Sequence, residues 1–332
     1  MRRVLVIDRF EPPTEGDAEH YLPAGLELVK ADVRDQAAQL ERVAAADYLI
    51  VGGVPLGARV IEAGTRLKLI QKLGVGVDKI DLAAAARCGV PVAITSGVNA
   101  SSVAEAVVMF LLVMERRLFA ADAGLRGGRW EKFVFAHATH DLAGRTVGIV
   151  GLGRVGKQVA QRLAAFDVRT LYYDIVRPGT EVESQLQVRF APLADLLAQS
   201  DVVTLHVPLT DATRRMIDEG ALARMRPGAR LINTARGEVV DEAALEAALR
   251  SGHIGGAGLD VYDGEPLTAA RPLFELPNVV LTPHVAGVTC ECVTRMWHHA
   301  YGNCVRVAAG EPLAPDDLIG EVSNTAMRSS QT

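Results

Sequence analysis

Short apolar runs alternate with helix-period stretches almost from one end of the chain to the other. The early runs are Arg3–Asp8, Glu27–Val33, Tyr48–Val51, Lys68–Leu73 and Pro91–Ile94, with helical patterns such as Ala37–Ala45 and Leu82–Arg87 between them. A second series begins near Thr146 and comprises Thr146–Val150, Thr170–Tyr173, Val202–Leu205, Arg230–Asn233, Gly256–Leu259 and Val279–Leu281. Strands that alternate with helices predict an α/β protein with parallel sheets. Six strands in the second series suit a doubly wound sheet.

Between the two series lies Ser101–Leu118, a long apolar helix pattern with Asn99 and Ser101 as candidate caps and Glu105 in its first turn. It reads as a helix connecting two domains. The arm that follows, Phe119–Leu142, carries Trp130, Phe133 and Phe135 as exposed-looking aromatics. After Leu281 a further helix, Val288 to about Ala308, can carry the chain back to the first domain and make it discontinuous. The boundaries expected are 1–98 with 289–332 for one domain and 99–288 for the other. The polar residues from Pro315 onward read as loose.

Composition narrows the classes. A length of 332 residues suits two domains. With 35 Lys and Arg against 40 Asp and Glu, the net charge of -5 offers nucleic acid and anionic membranes no electrostatic footprint. The most apolar window, Val103–Met114, contains Glu105 and falls short of the ~20 residues needed to cross a bilayer. The opening Met1–Asp8 reads as a first strand rather than a signal peptide. Four cysteines make no disulfide framework, so a reduced, cytoplasmic protein is expected. Cys290 and Cys292 lie two apart, on opposed sides of a helix, and although Cys304, His298 and His299 are close by, the cysteines read as packing residues; no metal is expected.

The sharpest motif is Gly151-Leu152-Gly153-Arg154-Val155-Gly156, directly after the strand Val147–Val150 and before the helical run Val155–Phe166. That context turns a weak GxGxxG into a dinucleotide fingerprint. Gly151 permits the tight turn, Gly153 lets a pyrophosphate approach the backbone, and Gly156 allows close packing of helix on strand. The helix start offers N–H groups and partial positive charge to the phosphates. Asp174 ends the next strand, 18 residues past Gly156, where its carboxylate would accept from both ribose hydroxyls and repel a 2′-phosphate. NAD is therefore the expected cofactor, although Arg177 stands where it could serve NADP instead.

Further charged groups follow strands, where open α/β sheets bind ligands. With Gly74-Val75-Gly76-Val77-Asp78, Ser102-Val103-Ala104-Glu105, the glycine fingerprint, His206-Val207-Pro208-Leu209-Thr210, Asn233-Thr234-Ala235-Arg236-Gly237, Asp260 through Glu265-Pro266, and Thr282-Pro283-His284, the chain resembles the D-isomer-specific 2-hydroxyacid dehydrogenases. The resemblance runs most clearly from Leu69 to about Thr294 and includes phosphoglycerate dehydrogenases and glyoxylate/hydroxypyruvate reductases.

The resemblance implies two Rossmann-like doubly wound parallel-sheet domains with an interdomain active-site cleft. The discontinuous one would be a flavodoxin-like substrate domain, the other an NAD-binding domain. It implies a catalytic trio of Arg236, Glu265 and His284. His284 would be the acid in keto-acid reduction and the base in oxidation, Glu265 would orient the ring and hold its proton, and Arg236 would bind the substrate carboxylate and polarise the C2 carbonyl. Leu73, Gly74, Val75 and Gly76 would help bind the substrate, with the Gly74 and Val75 N–H groups on its carboxylate. The expected cofactor set is the fingerprint residues with Asp174, His206, Val207, Pro208, Thr213, Thr234, Ala235, Arg236, Asp260, His284 and Gly287; Asp260 would contact the nicotinamide carboxamide. The partners implied are a small 2-keto or 2-hydroxy acid and a second copy of the chain, a homodimer built on the arm after Leu118.

The substrate stays open between phosphoglycerate, glyoxylate, hydroxypyruvate and larger apolar 2-keto acids. Phosphoglycerate dehydrogenases usually carry an Arg after the third strand, where this chain has Gly52-Gly53, and Lys72 alone replaces their further basic residue. At 332 residues the chain is expected to be a short form, without the regulatory module that many of them append. Two other readings are a related-fold enzyme, such as a formate or phosphite dehydrogenase, and a corepressor-like NADH sensor.

Overall fold

The computed structural model describes residues 1–9 and 16–320, and these form two compact units, 1–99 with 290–320 and 100–289. In the first, the strands β1 (Arg2–Asp8), β2 (Leu26–Asp32), β3 (Tyr48–Val51), β4 (Leu69–Lys72) and β5 (Val92–Ala93) alternate with the helices α1 (Asp17–His20), α2 (Gln36–Val43), α3 (Ala58–Ala63) and α4 (Leu82–Arg87). Strand residues point alternately to two cores. Leu5 and Ile7 face the α2–α4 layer, while Val4 and Val6 face the other side. Burial on both faces is what a central parallel strand demands, and it explains the unbroken apolar runs Val4–Ile7 of β1 and Tyr48–Val51 of β3.

The second unit opens with α5 (Ala100–Glu115), α6 (Leu118–Arg126) and α7 (Lys132–Phe135). The continuous helix expected over Ser101–Leu118 is broken: Arg117 takes a left-handed φ of 47° and starts a new helix. Ser101 lies inside α5, where its hydroxyl bonds to Glu105, so it is not the cap. There follow β6 (Thr146–Val150), α8 (Arg154–Leu163), β7 (Arg169–Tyr173), α9 (Thr180–Leu186), β8 (Val188–Phe190), α10 (Leu193–Gln199), β9 (Val202–Leu205), α11 (Glu219–Arg224), β10 (Ala229–Asn233), α12 (Glu242–Arg250), β11 (Ile254–Leu259) and β12 (Val279–Leu281). The sheet has seven strands in the order β12-β11-β10-β9-β6-β7-β8, all parallel, with β6 and β9 at the switch point. The pattern of apolar runs predicts six strands; β8, three residues long, is too short to show a period. Helix α5 packs on β11 so closely that a Cβ at Gly258 would sit 2.8 Å from the Phe110 ring.

The chain then returns to the first unit with α13 (Cys290–Ala309) and β13 (Leu318–Ile319). The first sheet runs β13-β5-β4-β3-β1-β2, and β13 pairs antiparallel with β5, so this sheet is not purely parallel. Nor are the residues from Pro315 to Ile319 loose. Asp317 is buried, its carboxylate meets His299 Nε2 at 2.7 Å, and its carbonyl accepts from Ile94 N at 2.8 Å. The rest of that polar tail, 321–332, lies outside the described residues. No helix among the described residues is long and apolar enough to cross a membrane, and no group of three or more His, Cys, Asp or Glu there could hold a metal ion.

Candidate active site

The glycine fingerprint sits at the switch point, where β6 gives way to α8. Gly151 has φ +95°, and a Cβ there would lie 2.6 Å from His206 O; a Cβ at Gly156 would lie 2.1 Å from Gly151 O. Neither position accepts a side chain. A Cβ at Gly153, by contrast, would meet nothing within 4 Å. No side chain caps α8 at Gly153, so the positive end of the helix is open to an anion. Asp174, just past β7, accepts from Leu152 N at 2.6 Å and from Val176 N at 3.0 Å, which ties the fingerprint turn to the end of the neighbouring strand.

Across the switch point, His206 N donates to Val150 O at 2.7 Å and its ring Nε2 lies 3.0 Å from Thr204 Oγ1. Burial pushes its imidazole down to about 3, so it is neutral at physiological pH. Val207 and Pro208 lead into a loop closed by Thr213, whose hydroxyl donates to Pro208 O at 2.6 Å and accepts from Thr210 N at 2.8 Å. After β10, the Thr234 hydroxyl is buried without a hydrogen-bond partner. A buried polar atom left unsatisfied costs stability, and a bound ligand is an ordinary reason for one.

Arg236, Glu265 and His284 are held by the ends of β10, β11 and β12. Buried Asn233 shapes the first turn: its amide donates to Arg236 O at 2.8 Å and accepts from Ala235 N at 3.0 Å. Gly237 then presses on the next loop, where a Cβ would fall 1.9 Å from the Tyr262 carbonyl carbon. Only glycine allows the Arg236 turn and the loop leading to Glu265 to approach so closely. Glu265 accepts from Tyr262 N at 2.7 Å through Oε1 and meets His284 Nδ1 at 2.5 Å through Oε2. With Nδ1 engaged, the other ring nitrogen is the one left for proton transfer.

His284 has a left-handed φ of 56°, uncommon for a residue other than glycine, and Asp260 holds it there. The Asp260 carbonyl accepts from His284 N at 2.8 Å. Its carboxylate accepts from Thr282 Oγ1 at 2.6 Å, Val285 N at 2.8 Å and Ala286 N at 2.9 Å. Asp260 is thus the brace of the loop that runs through His284 to Gly287. Sequence reasoning expected a cofactor contact from Asp260 and missed this bracing role. It also missed Asn233, Gly237 and Tyr262 as shaping residues, although the first two carry a visible signal: a polar residue ending an apolar strand, and a glycine beside Arg236.

In the first unit, Leu73 leaves β4 and Gly74 turns with φ +113°. The expectation for Gly74 needs correction. Its N–H donates to Thr95 Oγ1 at 2.9 Å, and its carbonyl accepts from Thr95 N at 3.0 Å. The amides of this turn left to bind an anion are those of Val75 and Gly76. Beside it, Lys72 Nζ donates to Gly52 O at 2.7 Å and Leu73 O at 2.6 Å.

The sequence profile of the D-isomer specific 2-hydroxyacid dehydrogenase NAD-binding domain matches residues 108–286. The chain belongs to this family. It is 41% identical over 287 residues to the glyoxylate reductase of Korarchaeum cryptofilum, covering 85% of each chain. To the D-3-phosphoglycerate dehydrogenase of Mycobacterium tuberculosis it is 39% identical over 94% of its own length but only 58% of the relative's. Among solved structures, the NAD-dependent formate dehydrogenase of Staphylococcus aureus in complex with NAD superimposes with a TM-score of 0.84 at 29% identity, over 97% of this chain and all of that one. The protein is an NAD-dependent oxidoreductase of the 2-hydroxy acid class. Its residues fit the cofactor: the open space at Gly153 and the unsatisfied Thr234 hydroxyl mark where a dinucleotide has room and a polar partner.

Proposed function

We propose that the chain reduces a small, unphosphorylated 2-keto acid, such as glyoxylate or hydroxypyruvate, to the D-2-hydroxy acid. The observation that carries this reading is the His284–Glu265 contact of 2.5 Å on a loop braced by Asp260. NADH supplies the hydride when bound by Gly151–Gly156, Asp174, His206–Pro208, Thr213, Thr234, Ala235, Asp260 and Gly287. His284 gives its ring proton to the C2 oxygen and recovers it from solvent; in oxidation the same nitrogen takes the hydroxyl proton. Glu265 positions the ring through its Oε2 contact with Nδ1. The Arg236 fork binds the carboxylate and draws electron density from the C2 carbonyl. The unit of 1–98 with 289–332 is the substrate domain, whose Leu73–Gly76 turn offers the Val75 and Gly76 amides to an anion, and 99–288 is the NAD domain.

A phosphorylated substrate fits poorly. The residues after β3 are Gly52 and Gly53, without a cation, and the Lys72 ammonium is engaged by two backbone carbonyls. Steady-state reduction of glyoxylate, hydroxypyruvate and 3-phosphohydroxypyruvate with NADH tests this. The unphosphorylated acids should lead in kcat/KM; a clear preference for the phosphorylated one would replace this reading with a phosphoglycerate dehydrogenase.

The protein is a cytoplasmic homodimer in this reading. Leu118, Phe119, Leu125, Trp130, Phe133 and Val134 are each more than half exposed within one short arm, whereas Phe135 is half-buried. So dense an apolar surface on a monomer marks an interface. Sedimentation velocity should give a dimer, and Trp130→Ser with Phe133→Ser should shift it toward monomer.

A further inference from the structure

Arg177 follows Asp174 by three residues and is the basic group nearest in sequence to the expected ribose-binding carboxylate. In the structure it is folded back. Its Nε meets Glu183 Oε1 at 2.7 Å and its terminal nitrogen meets Oε2 at 3.0 Å, a two-point fork on one carboxylate. The guanidinium also lies over the Phe190 ring, 5.2 Å from its centroid. Glu183 itself is fixed from a second side, because the Tyr172 hydroxyl donates to Oε1. Glu183 is only 13% exposed, whereas Arg177 is 57% exposed, so the acid is the anchored member of the pair. The Arg177 and Tyr172 donors hold the Glu183 carboxyl at about 2, and it is ionised at any working pH.

We propose that Glu183 is a cofactor-specificity residue: by clamping Arg177 it withholds the guanidinium from an adenosine 2′-phosphate and so reinforces the choice of NAD over NADP. It acts through Arg177 and is a positioning residue. Asp174 repels the phosphate, and Glu183 removes the nearby cation that would attract it. This rests on the reading of Asp174 as the ribose partner, and the test separates the two. If Glu183 were released while Asp174 remained, Arg177 could pair with Asp174 instead, so the effect should show fully only once Asp174 is replaced.

The experiment measures Kd and kcat/KM for NADH and NADPH in Asp174→Ser, Asp174→Ser/Glu183→Gln, and the triple variant with Arg177→Ala. Asp174→Ser should lower the NADH-over-NADPH ratio. Adding Glu183→Gln should strengthen NADPH binding by about tenfold more, the scale of one charge-assisted hydrogen bond gained, with little change for NADH. Arg177→Ala should abolish that gain. An unchanged ratio in Asp174→Ser defeats the ribose assignment. A changed ratio with no further gain from Glu183→Gln, or a gain that survives Arg177→Ala, defeats the clamp. Should the multiple variants not fold, Arg177→Ala in the parent protein decides: a clamped arginine predicts unaltered NADPH kinetics, and a several-fold loss of NADPH activity would overturn the proposal.

Discussion

Replacing Glu265 by Gln should slow keto-acid reduction by misplacing the His284 ring. Two donors converge on Glu265, Tyr262 N at 2.7 Å and His284 Nδ1 at 2.5 Å, and an amide has one acceptor oxygen for them. Gln can keep one of these bonds and must lose the other, a hydrogen bond to a charged group worth roughly 1.5–3 kcal/mol. If that loss falls on the transition state, it corresponds to about ten- to 150-fold in rate. Measuring kcat/KM for glyoxylate should show a loss of that size, while the Kd for NADH stays near the parental value. An unaltered kcat/KM in a variant that retains its native circular dichroism would show that Glu265 does not position the ring.

His284→Ala should lower reduction at least ~100-fold, the scale of positioned acid catalysis, while NADH still quenches protein fluorescence with near-parental Kd; near-normal turnover would remove His284 from the mechanism. Asp260→Asn leaves one acceptor oxygen where Thr282, Val285 and Ala286 all donate; kcat should drop by about tenfold or more, and a variant with unchanged kcat would show that the loop needs no brace. His206 is neutral down to about 3 when folded, whereas an unfolded histidine protonates near pH 6.5. Its contribution is therefore fully present above pH 6.5 and declines as pH falls toward 3. His206→Gln should narrow the gap in unfolding free energy between pH 7.5 and pH 5 by about 2 kcal/mol, as read from urea titrations; an equal gap in both proteins would contradict the uncharged ring.

Most of the parallel strands were legible because they are apolar runs bounded by turn residues, and both sheets follow that rhythm. What stayed hidden was short or decided by distant contacts. β8 is three residues long, and β13 is two residues long, a strand only because it docks on β5. The helix break at Arg117 replaces no helix former with a breaker; just before it, Glu115 is buried with Arg145 at 3.4 Å and Arg230 at 3.3 Å, partners 30 and more positions away. At the candidate site, the glycine fingerprint could be read because its residues are consecutive and each glycine answers a steric need. The Asp260 brace could not, since its partners begin 22 positions on, nor could the loss of the Gly74 N–H to Thr95, 21 positions on. Local chemistry is written in local sequence; the allocation of individual hydrogen bonds is settled by tertiary packing.

In the proposed reaction this chain transfers hydride and a proton to a 2-keto acid to give one hand of product. Incubating it with NADH and hydroxypyruvate, then resolving the glycerate by chiral chromatography, tests that most directly. D-glycerate should form in one-to-one stoichiometry with the NADH consumed. L-glycerate, a racemate, or NADH left untouched across the 2-keto acids would contradict it.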